Sequence, residues 1–108
     1  MAGIHESNVI DLVAHFPLTG EYALIMIEGR PWTDSSEQLA ELSKKINNYA
    51  MLILDGRFAR IYPQSAAQSV HIQLDCTDTP SPKVQALIEA ASARLLDYHI
   101  PFVVNIIG

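Results

Sequence analysis

Residues 70–76 read Val-His-Ile-Gln-Leu-Asp-Cys, and this alternation decides the fold. Val70, Ile72, Leu74 and Cys76 point one way and His71, Gln73 and Asp75 the other, the period of a strand with one buried and one polar face. Downstream, Thr77 to Pro80 forms a loop, and Ser81 with Pro82 supplies an N-cap and a first helical residue. Val84, Leu87, Ile88, Ala91, Leu95 and Tyr98 then recur at helical spacing, and Ile100 to Ile107 closes the chain as an apolar strand. A strand, a helix and a strand in this order form a right-handed crossover between parallel neighbours.

The same unit occurs once more upstream. Glu21 to Glu28 is a second apolar extended run, ended by Gly29-Arg30-Pro31-Trp32-Thr33. Asp34-Ser35-Ser36-Glu37 reads as a helix start near Ser35, with Asp34 as N-cap and Glu37 closing a capping box. Leu39, Leu42, Ile46, Tyr49 and Ile53 form a stripe that faces the sheet, while Glu37, Glu41, Lys44, Lys45 and Asn48 occupy other faces. Asp55-Gly56 stops this helix, and Arg57 to Tyr62 adds a short helical piece before Pro63. Before all of this, Asn8 to Phe16 alternates Ile10, Leu12, Ala14 and Phe16 against Val9, Asp11, Val13 and His15. Pro17-Leu18-Thr19-Gly20 turns it into an antiparallel hairpin with the next strand.

The predicted order is therefore β-β-α-β-α-β, a single α/β domain over residues 1–108. Its class is an α+β two-layer sandwich: a four-stranded mixed sheet with an N-terminal hairpin and two helices packed on one face. The opposite face is left exposed, partly covered by the piece after Gly56, or buried against a partner.

Composition narrows the functional classes. At 108 residues and 49% hydrophobic content the chain can bury a core without disulfides, and its one cysteine, Cys76, fits a reducing, cytoplasmic setting. No basic region followed by an apolar run marks a signal peptide, and no apolar stretch is long enough to span a bilayer. Twelve acidic against seven basic residues give a net charge of -5, which argues against nucleic acid and for a basic protein as partner.

The best polar constellation falls on the sheet face expected to turn away from the helices: Asp11 and His15 from the first strand, His71, Gln73 and Asp75 from the third. Two histidines and two carboxylates suit a divalent metal or a shared proton, although any one-sided sheet places polar residues at such spacing. Arg30 and Trp32 at a strand end suit recognition of a carboxylate or a protein surface; the bland reading packs Trp32 over the first helix. Cys76 has no basic neighbour and reads as a small buried hydrophobe. There is no phosphate-binding glycine loop, CxxC pair or GxSxG elbow.

The ordered series Val9-Ile10-Asp11-Leu12-Val13-Ala14-His15, Arg30-Pro31-Trp32, Leu54-Asp55-Gly56 and Ile72-Gln73-Leu74-Asp75-Cys76 resembles an uncharacterised family of short bacterial proteins, a domain of unknown function. The resemblance implies a bacterial source and a shared fold, with no activity attached. A looser, class-level likeness is to cytoplasmic immunity proteins of bacterial toxin systems, which are often small, acidic and free of cofactors.

The expectation is thus a non-enzymatic protein-binding domain without cofactor or metal, most concretely an inhibitor of a basic toxin domain, contacting it through Asp11, Arg30, Trp32, Gln73 and Asp75. Two alternatives stand beside it. One is a small metal-dependent or acid-base enzyme using Asp11, His15, His71 and Asp75. The other is a homodimer formed through the apolar last strand.

Overall fold

The computed structural model describes residues 3–6 and 10–107. Its elements are β1 (Leu12–Phe16), β2 (Glu21–Glu28), α1 (Ser36–Leu54), α2 (Arg57–Ile61), a 3₁₀ turn (Pro63–Ala67), β3 (Val70–Cys76), α3 (Pro82–Leu96) and β4 (Phe102–Ile106). Asn8 and Val9, expected to open the first strand, lie outside the described residues. The four strands form one sheet in the order β1-β2-β3-β4, antiparallel between β1 and β2 and parallel elsewhere.

Local chemistry explains most element ends. The hairpin closes through the Gly20 N–H, which donates to the Phe16 carbonyl at 2.7 Å. Gly20 has φ +80, a left-handed conformation that side chains rarely tolerate, so the turn favours glycine. Gly56, at φ +85, makes the left-handed break between α1 and α2 that Asp55-Gly56 predicted. Ser81 caps α3 as expected, its Oγ accepting from the Val84 N–H.

At the start of α1 the structure corrects the reading. Ser35, not Asp34, is the N-cap, and its Oγ accepts from the Gln38 N–H at 3.1 Å. Asp34 instead adopts a left-handed conformation (φ 58), and its carboxylate accepts a hydrogen bond from Ser81 Oγ at the start of α3. Two adjacent residues could each serve as cap, and Asp34 is instead engaged by Ser81, the cap of α3.

Both long helices lie on one face. Leu42, Ile46 and Tyr49 of α1 and Val84, Ile88, Ala91 and Leu95 of α3 form one core with Tyr22, Leu24, Met26, Ile72, Leu74 and Cys76. Tyr98, expected on the α3 stripe, lies beyond the helix end and is exposed. The short α2 packs its Phe58 edge-on against Tyr22, so it thickens the helix layer and does not cover the opposite face.

The main correction concerns β1. Leu12, Ala14 and Phe16 pair with Ile25, Ala23 and Glu21 and share their face, away from the helices; Val13 and His15 share the helix-side face with Leu24 and Tyr22. Asp11 turns inward as well. Its Oδ1 accepts from Lys45 Nζ of α1 at 2.7 Å, and the two side chains are 1% and 0% exposed. Lys45 was expected on an outer face of the helix; it is instead buried on the same stripe as Leu42 and Tyr49.

This pair is fully hydrogen-bonded. Lys45 Nζ donates also to the carbonyls of Gly3 (2.6 Å) and Glu6 (2.9 Å), which uses all three of its protons. The second Asp11 oxygen accepts from the Ile27 N–H at 2.9 Å, continuing the hairpin ladder with a side chain where β1 has ended. Tyr49 Oη accepts from the Asp11 N–H and donates to the Ile25 carbonyl, and burial pushes its ionisation well above the usual value.

Removing one member of such a pair strands the other charge in a dry site. Asp11→Ala is therefore expected to lower unfolding stability by about 3–5 kcal/mol. Chemical denaturation of this variant, of Lys45→Met and of the double variant checks it: the double loss must be smaller than the sum of the two single losses, because the partners are coupled.

Candidate functional site

With the helices on one side, the other side of the sheet is open. Its apolar positions are Leu12, Ala14 and Phe16 from β1, Ala23, Ile25 and Ile27 from β2, and Val103 from β4. Ala23 and Ile25 in the middle are buried by their neighbours, whereas Leu12 (49%) and Phe16 (42%) remain exposed at the edge. Large apolar side chains gathered on a surface in this way mark contact sites more often than scattered ones do.

A polar ladder crosses this apolar ground along β3. Glu21 Oε2 lies 3.9 Å from His71 Nδ1, and His71 Nε2 lies 3.4 Å from Gln73 Oε1. Gln73 Nε2 donates to Asp75 Oδ1 at 2.7 Å, and Asn105 Nδ2 from β4 donates to the same oxygen at 3.3 Å. The alternation of β3 alone places His71, Gln73 and Asp75 on one face, and parallel pairing sets Asn105 opposite Asp75. The Phe16 ring stacks on His71 with centroids 6.2 Å apart. At that end Phe16, Pro17, Leu18, Thr19, Glu21, His71 and Gln73 line a hollow of about 460 Å³, rimmed by a fully exposed Leu18.

Charge is distributed unevenly. All seven lysines and arginines (Arg30, Lys44, Lys45, Arg57, Arg60, Lys83 and Arg94) lie in helices or in the loop before α1, and none lies in a strand. The strand positions of the open face therefore carry two carboxylates, Glu21 and Asp75, and no lysine or arginine.

The structure divides the polar set expected from sequence. Gln73, Asp75 and His71 stand together on the open face. Asp11 and His15 lie on the other side: Asp11 is consumed by Lys45, and the His15 ring stacks on Tyr22 at 4.4 Å. The four side chains proposed to hold a metal or share a proton thus do not converge, and among the described residues no group of three His, Cys, Asp or Glu side chains is placed to hold a metal ion.

Arg30 and Trp32 belong to a separate cluster at the far end of β2. Arg30 Nε and Nη2 donate to the two oxygens of Glu28 at 2.9 and 2.7 Å, and Nη2 also reaches Glu41 Oε1 at 2.9 Å. Glu28 accepts further from the Arg30 N–H and from Gln38 Nε2. Gln38 is itself buried and tied to Thr33 and Pro31. Trp32 is half-buried against the core, with Nε1 donating to the Asp78 carbonyl at 3.1 Å. The cluster clamps the end of β2 to α1. Sequence reasoning missed Glu28 and Gln38, whose signal was an acidic residue ending an otherwise apolar strand beside an arginine.

The cysteine reading holds. Cys76 is buried in the core, and burial pushes its thiol above the ordinary value.

A family model described as a family of unknown function (DUF6572) matches residues 2–108. The chain belongs to this family. No curated protein and no solved structure matches it. Among the described residues, no helix is long and apolar enough to cross a membrane.

Burial alone would raise the Glu28 carboxyl, but hydrogen bonds from Arg30 and Gln38 and the guanidinium charge outweigh it and hold the group below its ordinary 4.5. A depressed folded-state value stabilises the fold above pH 4.5, and that share is lost as pH falls through the folded value. The stability gap between the wild-type chain and Glu28→Gln is accordingly expected to be full at pH 7 and to shrink steadily below pH 4.5; denaturation midpoints at several pH values measure it.

Proposed function

We propose that the chain is a non-enzymatic protein-binding domain that engages a basic partner with the open face of its sheet. The observation that carries this reading is the composition of that face: exposed Leu12, Phe16 and Leu18 around a hydrogen-bonded polar ladder, with Glu21 and Asp75 as its charges and no lysine or arginine in any strand. An aromatic anchor beside a polar rim is how protein interfaces concentrate their energy. A negative face on a chain of net charge -5 steers a basic partner toward it and rejects nucleic acid.

The most concrete version is a cytoplasmic immunity protein of a bacterial toxin system. A toxin domain that acts on nucleic acid needs a basic surface, and an acidic inhibitor complements such a surface directly. In this reading Gln73 and Asp75 are partner contacts together with Phe16, Leu18 and Glu21. Arg30 and Trp32 hold the fold together at the far end of β2, and Asp11 holds the face in place from beneath.

The experiment is a calorimetric titration of the purified chain with the protein encoded by the neighbouring gene. The reading expects a 1:1 complex that weakens at least about tenfold in Phe16→Ala, as loss of an aromatic hot spot does, and that associates more slowly as salt is raised. A complex indifferent to Phe16→Ala and Leu18→Ala, or no complex at all, contradicts it.

A further inference from the structure

The β4 edge of the sheet offers a second, independent surface. From Ile100 to Ile107 the chain reads Ile-Pro-Phe-Val-Val-Asn-Ile-Ile and contains no ionisable side chain. Edge strands are ordinarily blunted by charges, bulges or outward prolines, and β4 has none of the first or last between Phe102 and Ile106. Beyond Phe102, which packs against the core, it is also uncovered on both faces. Val103 is 42% exposed on the open side, and Val104 (36%) and Ile106 (50%) are exposed on the helix side, beyond the reach of α3.

The backbone polarity of this edge follows from its pairing with β3. The Pro101 carbonyl accepts from the Ile72 N–H at 3.0 Å, and the Ile107 N–H donates to the Cys76 carbonyl at 2.9 Å. Peptide groups alternate along a strand, so odd-numbered residues face β3, while Phe102, Val104 and Ile106 turn their N–H and C=O groups outward. Among the described residues no strand takes them up.

We propose that β4 pairs antiparallel with β4 of a second copy about a two-fold axis through Val104, joining two four-stranded sheets into one. In this register Val104 exchanges both hydrogen bonds with its equivalent, and Phe102 does so with Ile106 of the second copy, in both directions. No outward donor or acceptor between Phe102 and Ile106 is left over. On the helix side Val104 meets Val104 and Phe102 meets Ile106; on the open side Val103 meets Asn105. Such an isologous contact is the commonest way for a chain to associate with itself.

Charge and area select the occupant. Two copies of net charge -5 repel over most of their surfaces, and this uncharged strand is where they can approach at least cost, whereas a basic partner gains no ion pair here. A contact of five paired residues with their flanking apolar rows is small for a specific interface, which sets a weak, concentration-dependent dimer.

Sedimentation equilibrium of the full chain from about 1 to about 500 µM tests this, the span over which an interface of this size exchanges monomer and dimer. The 11.9 kDa chain is expected to rise toward twice that mass at the upper end. Val104→Pro removes one outward N–H without touching the β3 ladder, so it must keep its circular dichroism and stay monomeric. Should that variant unfold, Ile106→Lys takes its place, altering an exposed side chain and weakening the dimer at least tenfold. A wild-type chain that remains monomeric throughout, or a folded variant that dimerises as the wild type does, overturns the proposal.

Discussion

An ammonium and a carboxylate shut away from water hold this structure in register. Removing each ion from solvent costs several kcal/mol, and the cost is offset only when every proton and lone pair finds a partner in good geometry. Lys45 and Asp11 meet that condition through Gly3, Glu6 and Ile27. The consequences spread outward from the pair. The segment carrying the fully buried Ile4 is tied to α1, and β1 enters the hairpin with Asp11 beneath the sheet. Period-two alternation then sends Leu12, Ala14 and Phe16 to the open face.

That last step links stability to the make-up of the open face. Had Asp11 and His15 faced outward, the open side would have carried two histidines and, with Glu21, three carboxylates, a surface suited to a metal or a proton. Instead it carries an apolar rim around the His71-Gln73-Asp75 ladder, which suits another protein. The clamp of Glu28, Arg30 and Gln38 does similar work at the far end of β2, where it takes up charge that the sequence appeared to offer to a ligand.

Much of the fold was legible because local chemistry was decisive. Glu21–Glu28 and Val70–Cys76 have the boundaries their apolar runs implied, and Ser81-Pro82 starts α3 where the capping residues stand. The orientation of β1 was not legible, since alternation fits either face equally. The greater hydrophobicity of Ile10, Leu12 and Phe16 pointed to the wrong one. What decides it is a partner 34 residues away, and Lys45 was itself discounted because a lysine on a core stripe reads as an interruption. Of the residues expected to face a partner, alternation alone places Gln73 and Asp75 on the open face, where they stand; Phe16 stands on that face too, although the alternation of β1 set it toward the helices.

The face presented by β1 is therefore the point on which the account turns. Methyl relaxation by a soluble paramagnetic probe reads it directly, without altering the chain. The account predicts strong broadening of the Leu12 methyls, which are half exposed, and protection of the Val13 methyls, which pack against the core. Protected Leu12 methyls beside broadened Val13 methyls would contradict it.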